Sequence, residues 1–346
     1  MTPAWPRAWG EPPATAVIRA RAEDFRVSED LGFAPSGDGE HVFLYLQKRG
    51  LNTLELVQRL AQLSGVPTRD IGVSGLKDRN AVTRQWFSVG MAGRGEPDWR
   101  RLEAAGDVQV LERARHQRKL RRGVHRANRF HLVLRQVEGD RAALEDRLQQ
   151  VRDQGVPNYF GEQRFGNDGA TLAQARQWVA SGRRKVTRAR RSLYLSALRS
   201  LLFNELLAAR VEAATWNTIA DGDVCCLQGS RSLFRCEQAD AELTRRAALG
   251  DVHPGLPLWG SGADELAQQA RTLAGERGLE PALCEFLERA GLELSWRPAR
   301  LLADDFCWQF CDDGGLQLDF ALAAGAYATA LLAEIARYRV QAREQR

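Results

Sequence analysis

One carboxylate of this chain stands in a glycine-led turn between two strand-like segments. Asp78 follows a short apolar run that ends at Val73, and Gly75 supplies a permissive backbone. The segment from Val82 to Val89 is rich in aromatic and β-branched residues and is predicted to be extended. Connections between strands commonly display reactive groups. Asp78 is therefore a candidate nucleophile, although a Lys-Asp-Arg turn taken alone is more often an ordinary polar turn.

Length and composition indicate what kind of protein carries this carboxylate. The chain has 346 residues, of which 44% are hydrophobic, enough for roughly two domains with their own cores. No run of about 18 apolar residues could span a bilayer, and prolines and charges interrupt the N-terminal residues. We expect a cytoplasmic protein without a membrane partner. The six cysteines follow no disulfide or metal-binding pattern, and Cys307 with Cys311 lacks a second ligand pair.

Positive charge is concentrated in two short stretches. Residues 113–129 hold eight Arg or Lys, two His and no acidic residue in seventeen positions, which is typical of phosphate binding. A second cluster contains Arg183, Arg184, Lys185, Arg188, Arg190 and Arg191. Such runs are often only solvated faces. Two of them in one chain predict binding to a polyanion, with an RNA-binding surface formed by Arg115, Arg118, Lys119, Arg121 and Arg122.

Other catalytic motifs are absent from the sequence. There is no GxxxxGK[ST] or GxGxxG phosphate loop, no HExxH metal motif and no GxSxG nucleophile elbow. We therefore expect no cofactor and no metal. His116, His125 and His131 lie in or beside the basic run, and we predict phosphate contact for them. A carboxylate that acts on a nucleobase without a cofactor fits this set of residues.

The predicted elements place strands at both ends of the chain and helices in the middle. A helix should follow Asn52 or Thr53 and stop at Gly65, and the last helix should run from about Tyr327 to Val340. Strand-rich ends around a helical middle indicate an inserted domain.

Five stretches, in order along the chain, resemble the TruD family of tRNA pseudouridine synthases. They are Glu23-Asp24-Phe25; Gly75 to Asp78 with Ala81 to Trp86; Gly123 to Phe130; Val156 to Gly166; and Gly325 to Thr329. The resemblance implies an α/β (α+β) pseudouridine synthase domain with a mixed, mainly antiparallel sheet flanked by helices. This catalytic domain would comprise residues 1–153 and 303–346, and residues 154–302 would form an inserted, mainly helical TRUD domain.

The same resemblance implies an activity and a set of site residues. The activity is an isomerase reaction that converts uridine to pseudouridine in tRNA, at position 13 of the D-arm. Asp78 matches the catalytic aspartate, which would attack a flipped-out uridine at C1′ or at C6. The substrate-binding positions are Phe25, Asn128, Phe130 and Tyr327. The basic partner of Asp78 is left open among Arg19, Lys77 and Arg79.

Two other functions use some of the same residues. A non-catalytic tRNA-binding protein or RNA chaperone would need the arginines of residues 113–129 but not Asp78. A carboxylate-dependent hydrolase would release free uracil, whereas an isomerase releases nothing. We expect tRNA as the partner, no nucleotide cofactor and a monomer.

Overall fold

The computed structural model describes residues 4–182 and 185–341 of the chain. Within this range the chain divides into two compact units. The first unit contains the residues up to 13, residues 142–302 and residues 326–335, and the second contains residues 14–141, 303–325 and 336 onward. None of the helices in the described range is long and apolar enough to cross a membrane.

Groups of strands are separated by helices along the chain. The strands are β1 (Ala14–Ile18), β2 (Phe25–Asp30), β3 (His41–Arg49), β4 (Ile71–Val73), β5 (Val82–Gly90), β6 (Val108–His116), β7 (Ala127–Gly139), β8 (Val156–Pro157), β9 (Val224–Leu227), β10 (Leu233–Arg235), β11 (Val252–Leu258), β12 (Ser295–Pro298), β13 (Arg300–Leu301), β14 (Asp304–Phe310), β15 (Leu316–Ala323) and β16 (Ala336–Val340). The α-helices are α1 (Thr53–Ser64), α2 (Arg141–Gln154), α3 (Ala170–Ala180), α4 (Arg188–Glu212), α5 (Ala241–Ala248), α6 (Glu265–Glu276), α7 (Pro281–Arg289) and α8 (Ala328–Ile335).

The second unit is built on one large mixed sheet. Its central order is β14-β15-β7-β2-β5-β3-β6, with β1 added through β7 and β16, and β4 added through β5. The β2–β5 and β1–β16 pairs are parallel, and the other pairs of this sheet in the described range are antiparallel. The predicted α+β fold with a mixed, mainly antiparallel sheet is confirmed.

Helix α1 covers one face of this sheet. The side chain of Asn52 caps it by accepting a hydrogen bond from the amide of Leu54 at 2.8 Å, and Gly65 ends it in the left-handed conformation with φ 66°. Both predicted signals are confirmed. The apolar face of the helix packs into one core with β3, through Leu56, Val57, Leu60, Val42, Leu44 and Leu46.

The end of the chain differs from the prediction of a helix from Tyr327 to Val340. Helix α8 ends at Ile335, and the next five residues form β16, which pairs in parallel with β1 from Ala336 opposite Ala14 to Val340 opposite Ile18. The amide and carbonyl groups on the free side of β1 need partners, and an Ala-Arg-Tyr-Arg-Val segment can supply them as a strand. Helical periodicity alone therefore made the helix prediction too long.

The first unit combines helices with two small sheets. One sheet has the order β10-β9-β11-β12, and the other pairs β13 with β8. The aromatic segment after β8 is held by buried polar groups. The amide of Asn204 accepts from the backbone N–H of Phe160 at 2.9 Å and donates to its carbonyl at 3.0 Å. The guanidinium of Arg297 lies 4.3 Å from the Phe160 ring, and burial lowers the pKa of Arg297 to about 10.

The compact units do not follow the predicted domain boundaries at every point. Residues 4–13, 142–153 and 326–335 belong to the first unit rather than with the large sheet. Contacts within that unit explain this: Trp5 stacks on Tyr159 at 5.8 Å, and Glu334 accepts from the amides of Ala8 and Trp9. Compactness does not establish independent folding, so the division into residues 1–153 with 303–346 and residues 154–302 stays a prediction.

Candidate active site

Asp78 lies in the loop that joins β4 to β5, in the second unit. This loop has no regular backbone pairing of its own, and side chains from neighbouring elements hold it. The hydroxyl of Thr53 accepts from the amide of Lys77 at 2.9 Å and donates to the Gln85 side chain at 2.9 Å. Gln85 in turn donates to the carbonyl of Gly75 at 3.2 Å. These bonds fix the approach to Asp78 from its N-terminal side.

A buried lysine holds the loop at Asp78 itself. The ammonium of Lys48 donates to the backbone carbonyls of Asp78, at 2.9 Å, and of Leu51, at 2.7 Å, and its residue is 1% exposed. Burial lowers the pKa of Lys48 to about 8, against the opposing effect of the Asp78 charge. Sequence reasoning missed Lys48. The signal was available, because Lys48 continues the inward phase of β3 set by Val42, Leu44 and Leu46.

The carboxylate of Asp78 pairs with Arg19. The guanidinium Nη2 of Arg19 lies 2.5 Å from Asp78 Oδ2, and the two side chains are 11% and 38% exposed. Within residues 4–182 and 185–341, Asp78 Oδ1 makes no hydrogen bond. The Arg19 guanidinium also lies 4.1 Å from the ring centre of Phe25, as in a cation–π contact. Arg19 thus binds one oxygen of an accessible carboxylate and leaves the other open.

The other two cations considered as partners of Asp78 point elsewhere. Lys77 forms an ion pair with Glu29 at 2.8 Å, and both of these side chains are buried. Glu29 uses its other oxygen to accept from the backbone amide of Trp86 at 3.2 Å. Arg79 donates through Nε to the carbonyl of Gly50 at 3.0 Å. The structure therefore brings Arg19, and not Lys77 or Arg79, to the carboxylate.

Aromatic rings continue from Arg19 across the sheet. Phe25 meets Phe130 edge to face with ring centres 6.3 Å apart, and Phe130 stacks on Phe320 at 5.1 Å. The register places Phe130 opposite both Val27 of β2 and Phe320 of β15. Phe25 is 4% exposed, whereas Phe130 is only partly buried. Phe130 therefore has the more accessible ring of the two predicted substrate contacts.

Asn128 offers a buried acceptor without a partner. Its amide nitrogen donates to Nε2 of His125 at 3.3 Å, while its Oδ1 has no hydrogen bond in the described part of the chain. Burial, and then the charge of Lys77, lower the pKa of His125. The predicted phosphate contact of His125 is wrong, because this ring is buried and bonded to Asn128. An orphaned carbonyl oxygen beside the Asp78 loop could accept a hydrogen bond from a substrate N–H.

Tyr327 belongs to the first unit, whereas Asp78, Phe25, Asn128 and Phe130 belong to the second. Its hydroxyl accepts from the guanidinium of Arg164, and its ring lies 5.8 Å from that of Phe160. Within its own unit Tyr327 is therefore part of the arrangement that orders the aromatic segment after β8.

The basic run separates into paired and unpaired residues. Arg113 and Arg115 extend from β6, and both form ion pairs with Glu96. Arg118, Arg121 and Arg122 follow in the loop, and none of them forms a salt bridge with any residue that the structure describes. Lys119 donates to the backbone carbonyl of Arg69. The uncompensated charge of this run therefore lies in the loop after β6.

The second basic cluster surrounds the beginning of α4. Arg188, Arg190 and Arg191 occupy the first turn of that helix, where cations oppose the helix dipole. Arg183 and Arg184 lie outside the described residues.

The burial of Lys48 predicts a distinctive titration. The chain has only four lysines, so a protein labelled with 13Cε-lysine should give four resolvable signals. One of them, absent from Lys48→Met, should titrate near pH 8 because burial lowers the pKa of Lys48. Since the unfolded chain keeps this proton to higher pH, the group should add stability as pH rises from about 8 to about 10. Lys185→Met, a substitution at an exposed site, should not remove the signal that titrates near pH 8. A Lys48 midpoint near 10 would contradict the assignment.

Comparison with known proteins gives close relatives over nearly the whole chain. A protein from Methylococcus capsulatus is 46% identical over 339 residues, covering 97% of this chain and 95% of the relative. Proteins from Pseudomonas putida and Nitrosococcus oceani are each 46% identical over 331 residues, covering 95% of this chain and 94% and 92% of the relatives. All three are named tRNA pseudouridine synthase D.

Fold and family comparisons agree with these relatives. A crystal structure of a Methanosarcina mazei protein assigned to TruD superposes with a TM-score of 0.68 and 20% identity, covering 95% of each chain, and shows the same fold. The family model described as tRNA pseudouridine synthase D (TruD) matches residues 6–172 and 169–335. This chain therefore belongs to the TruD family.

Proposed function

We propose that this chain isomerises uridine to pseudouridine in tRNA, at position 13 of the D-arm, with Asp78 as the nucleophile. Its relatives are named for pseudouridine synthesis in tRNA, and the matched residues include the Asp78 loop. We further propose that the protein acts as a monomer in the cytoplasm. The D-arm position rests on the family resemblance.

The observation that carries the proposal is the pair formed by Arg19 and Asp78. Arg19 holds Oδ2 at 2.5 Å, so the carboxylate has a set orientation while Oδ1 stays open to a substrate. Lys48 and Thr53 anchor the backbone at Asp78 and at Lys77 through hydrogen bonds, which suits a nucleophile that must keep a set position. An ordinary polar turn would need none of these buried partners.

The proposed reaction needs only atoms of the uridine and the carboxylate. Asp78 attacks either C1′ of the ribose or C6 of the base. In both routes the C1′–N1 bond breaks, the uracil turns in the pocket, a C1′–C5 bond forms, and the bond from the Asp78 carboxylate to C1′ or C6 breaks, which frees Asp78. C5 then loses its proton and N1 gains one, so the product has the mass of uridine. No oxidant, reductant or leaving group enters the balance.

Three of the predicted substrate positions have distinct parts in this proposal. The partly buried ring of Phe130 can stack on the uracil, which would partly offset the few kcal/mol lost on unstacking. Asn128 Oδ1 has no partner but is shielded, so it can accept from an N–H of the uracil edge once its side chain turns toward the base. Phe25 acts through Arg19, because its ring is buried and lies beside the guanidinium. We propose that Tyr327 also contacts the substrate, on the basis of the resemblance.

Substitution of the nucleophile tests the activity. Asp78→Asn keeps the shape and an acceptor for Arg19 but replaces the carboxylate by a poor nucleophile. Pseudouridine formation should fall more than about 10³-fold, while the affinity for tRNA stays within about threefold. The measurement is carbodiimide-dependent reverse-transcription stops on unmodified tRNA, with filter binding on the same samples. Asp312→Asn, the same change at an exposed turn, should behave like the parent protein.

The same assay separates the two other functions. A hydrolase would leave an abasic site and free uracil, and an RNA chaperone would leave the tRNA unmodified. Asp78→Asn protein that still makes pseudouridine would contradict the mechanism, and a stop at a position other than 13 would contradict the proposed target.

The paired and unpaired arginines predict different salt dependence. Each cation that neutralises a phosphate adds about one to the slope of log affinity against log salt. Arg121→Gln should therefore lower the slope by about one. Arg115→Gln should change it less, because Glu96 already compensates Arg115. Titrations of tRNA at four salt concentrations measure both slopes. Equal slopes for the two variants would contradict the assignment of this loop to the RNA-binding surface.

A further inference from the structure

A cavity lies in the second unit beside the basic loop after β6, and neither Asp78 nor any residue assigned above to the uridine lines it. Its volume is about 580 Å³, which is in the range of small-ligand pockets. Among the described residues, no acidic side chain lines it. The lining residues are Phe33, Phe43, His116, Arg118, Lys119, Leu120, Arg121 and Val124.

Exposed aromatic surface forms one wall of this cavity. Phe33 is 40% exposed, although it is a large apolar side chain, and its ring centre lies 5.6 Å from that of His116. Phe43 lies behind, 4.7 Å from His116. The Nδ1 of His116 accepts from the backbone amide of Ser36 at 3.1 Å. In the neutral ring the proton is therefore on Nε2, where it can be donated to a ligand.

Cationic side chains form the other wall. Arg118 and Arg121 have no salt bridge with the residues that the structure describes, in contrast to Arg115 on the adjoining strand, which is bound to Glu96. Aromatic faces next to free guanidinium groups are the combination that binds single-stranded nucleic acid, through base stacking and phosphate contact. The chemistry of the cavity thus complements a nucleotide.

The basic loop is anchored directly to the segment that carries Asp78. The amide of Gly123 donates to the carbonyl of Ser74 at 2.7 Å, and the amide of Leu120 donates to the hydroxyl of Ser88 at 2.9 Å. A Cβ on Gly72 would lie 2.3 Å from the carbonyl oxygen of Leu120, so only glycine permits this close approach. The loop that lines the cavity is therefore bonded to the Asp78 loop at Ser74 and to β5 at Ser88, and it passes close to β4 at Gly72.

We propose that this cavity binds one unpaired nucleotide of the tRNA other than the target uridine. Its base stacks on Phe33 and accepts from His116 Nε2, and its phosphate contacts Arg118 and Arg121. The proposal rests on the proposed function, because tRNA is the RNA assumed to approach Asp78. It adds a second point of recognition, which would position the RNA relative to the carboxylate.

The test uses Asp78→Asn protein, so that binding is measured without turnover. Phe33→Ala in this background should weaken binding of unmodified tRNA by about 5- to 150-fold, the usual effect of losing one stacked base. Phe33→Tyr should retain affinity. We then use a set of tRNA transcripts that each lack one unpaired base. One of these transcripts should bind weakly to the Asp78→Asn protein that keeps Phe33, and adding Phe33→Ala should not weaken its binding further.

Phe310→Ala is the matched control, since Phe310 is another partly exposed phenylalanine, covered by Arg141 at 4.2 Å, and lies outside the cavity. Its affinity for tRNA should be unchanged. The proposal would be overturned if Phe33→Ala bound tRNA as tightly as the protein with Phe33. It would also be overturned if, for every transcript, the loss of affinity caused by the missing base and the loss caused by Phe33→Ala were additive. If the unsubstituted protein forms pseudouridine but its affinity for tRNA does not depend on Phe33, only the cavity assignment is overturned. If the affinity for tRNA depends on Phe33 but the unsubstituted protein forms no pseudouridine, only the proposed function is overturned.

Discussion

The ammonium of Lys48, buried beneath an irregular loop, is the contact on which the geometry around Asp78 depends. A loop without regular pairing must satisfy its backbone carbonyls in another way, and Lys48 does so at Leu51 and at Asp78. Thr53 performs the equivalent task for the amide of Lys77. Because Lys48 and Thr53 hold the backbone, the side chain of Asp78 is left to pair with Arg19.

This arrangement uses interactions that are costly for folding. Buried ions lose hydration worth several kcal/mol each unless partners compensate them, and here Lys77 has Glu29 while Lys48 has only carbonyl oxygens. Arg19 has φ 57°, a left-handed conformation that costs a residue with a side chain about 1–3 kcal/mol. Charges and strain of this kind persist where geometry matters more than stability, which agrees with a catalytic role for the loop.

The sequence predicted the elements better than the partners. The turn at Asp78 and the helix from Asn52 to Gly65 follow from local signals of turn chemistry and capping. Which cation reaches Asp78 depends on a contact between residues 59 positions apart, which no local pattern encodes. The neutralisation of Arg115 by Glu96 and the pairing of β16 with β1 are likewise long-range, so charge counting and helical periodicity misjudged both. Lys48 was detectable, as the single charge in the inward phase of β3.

The most direct test of the account compares two arginines near the same carboxylate. Arg19→Lys keeps the charge but loses the planar group that meets both Asp78 and Phe25, whereas Arg79→Lys changes a residue bonded to Gly50. Single-turnover rates of pseudouridine formation on saturating tRNA should fall about 10²-fold for Arg19→Lys, the usual effect of a misplaced reacting group, and less than about threefold for Arg79→Lys. Equal rates in the two variants would contradict the claim that Arg19 orients the nucleophile.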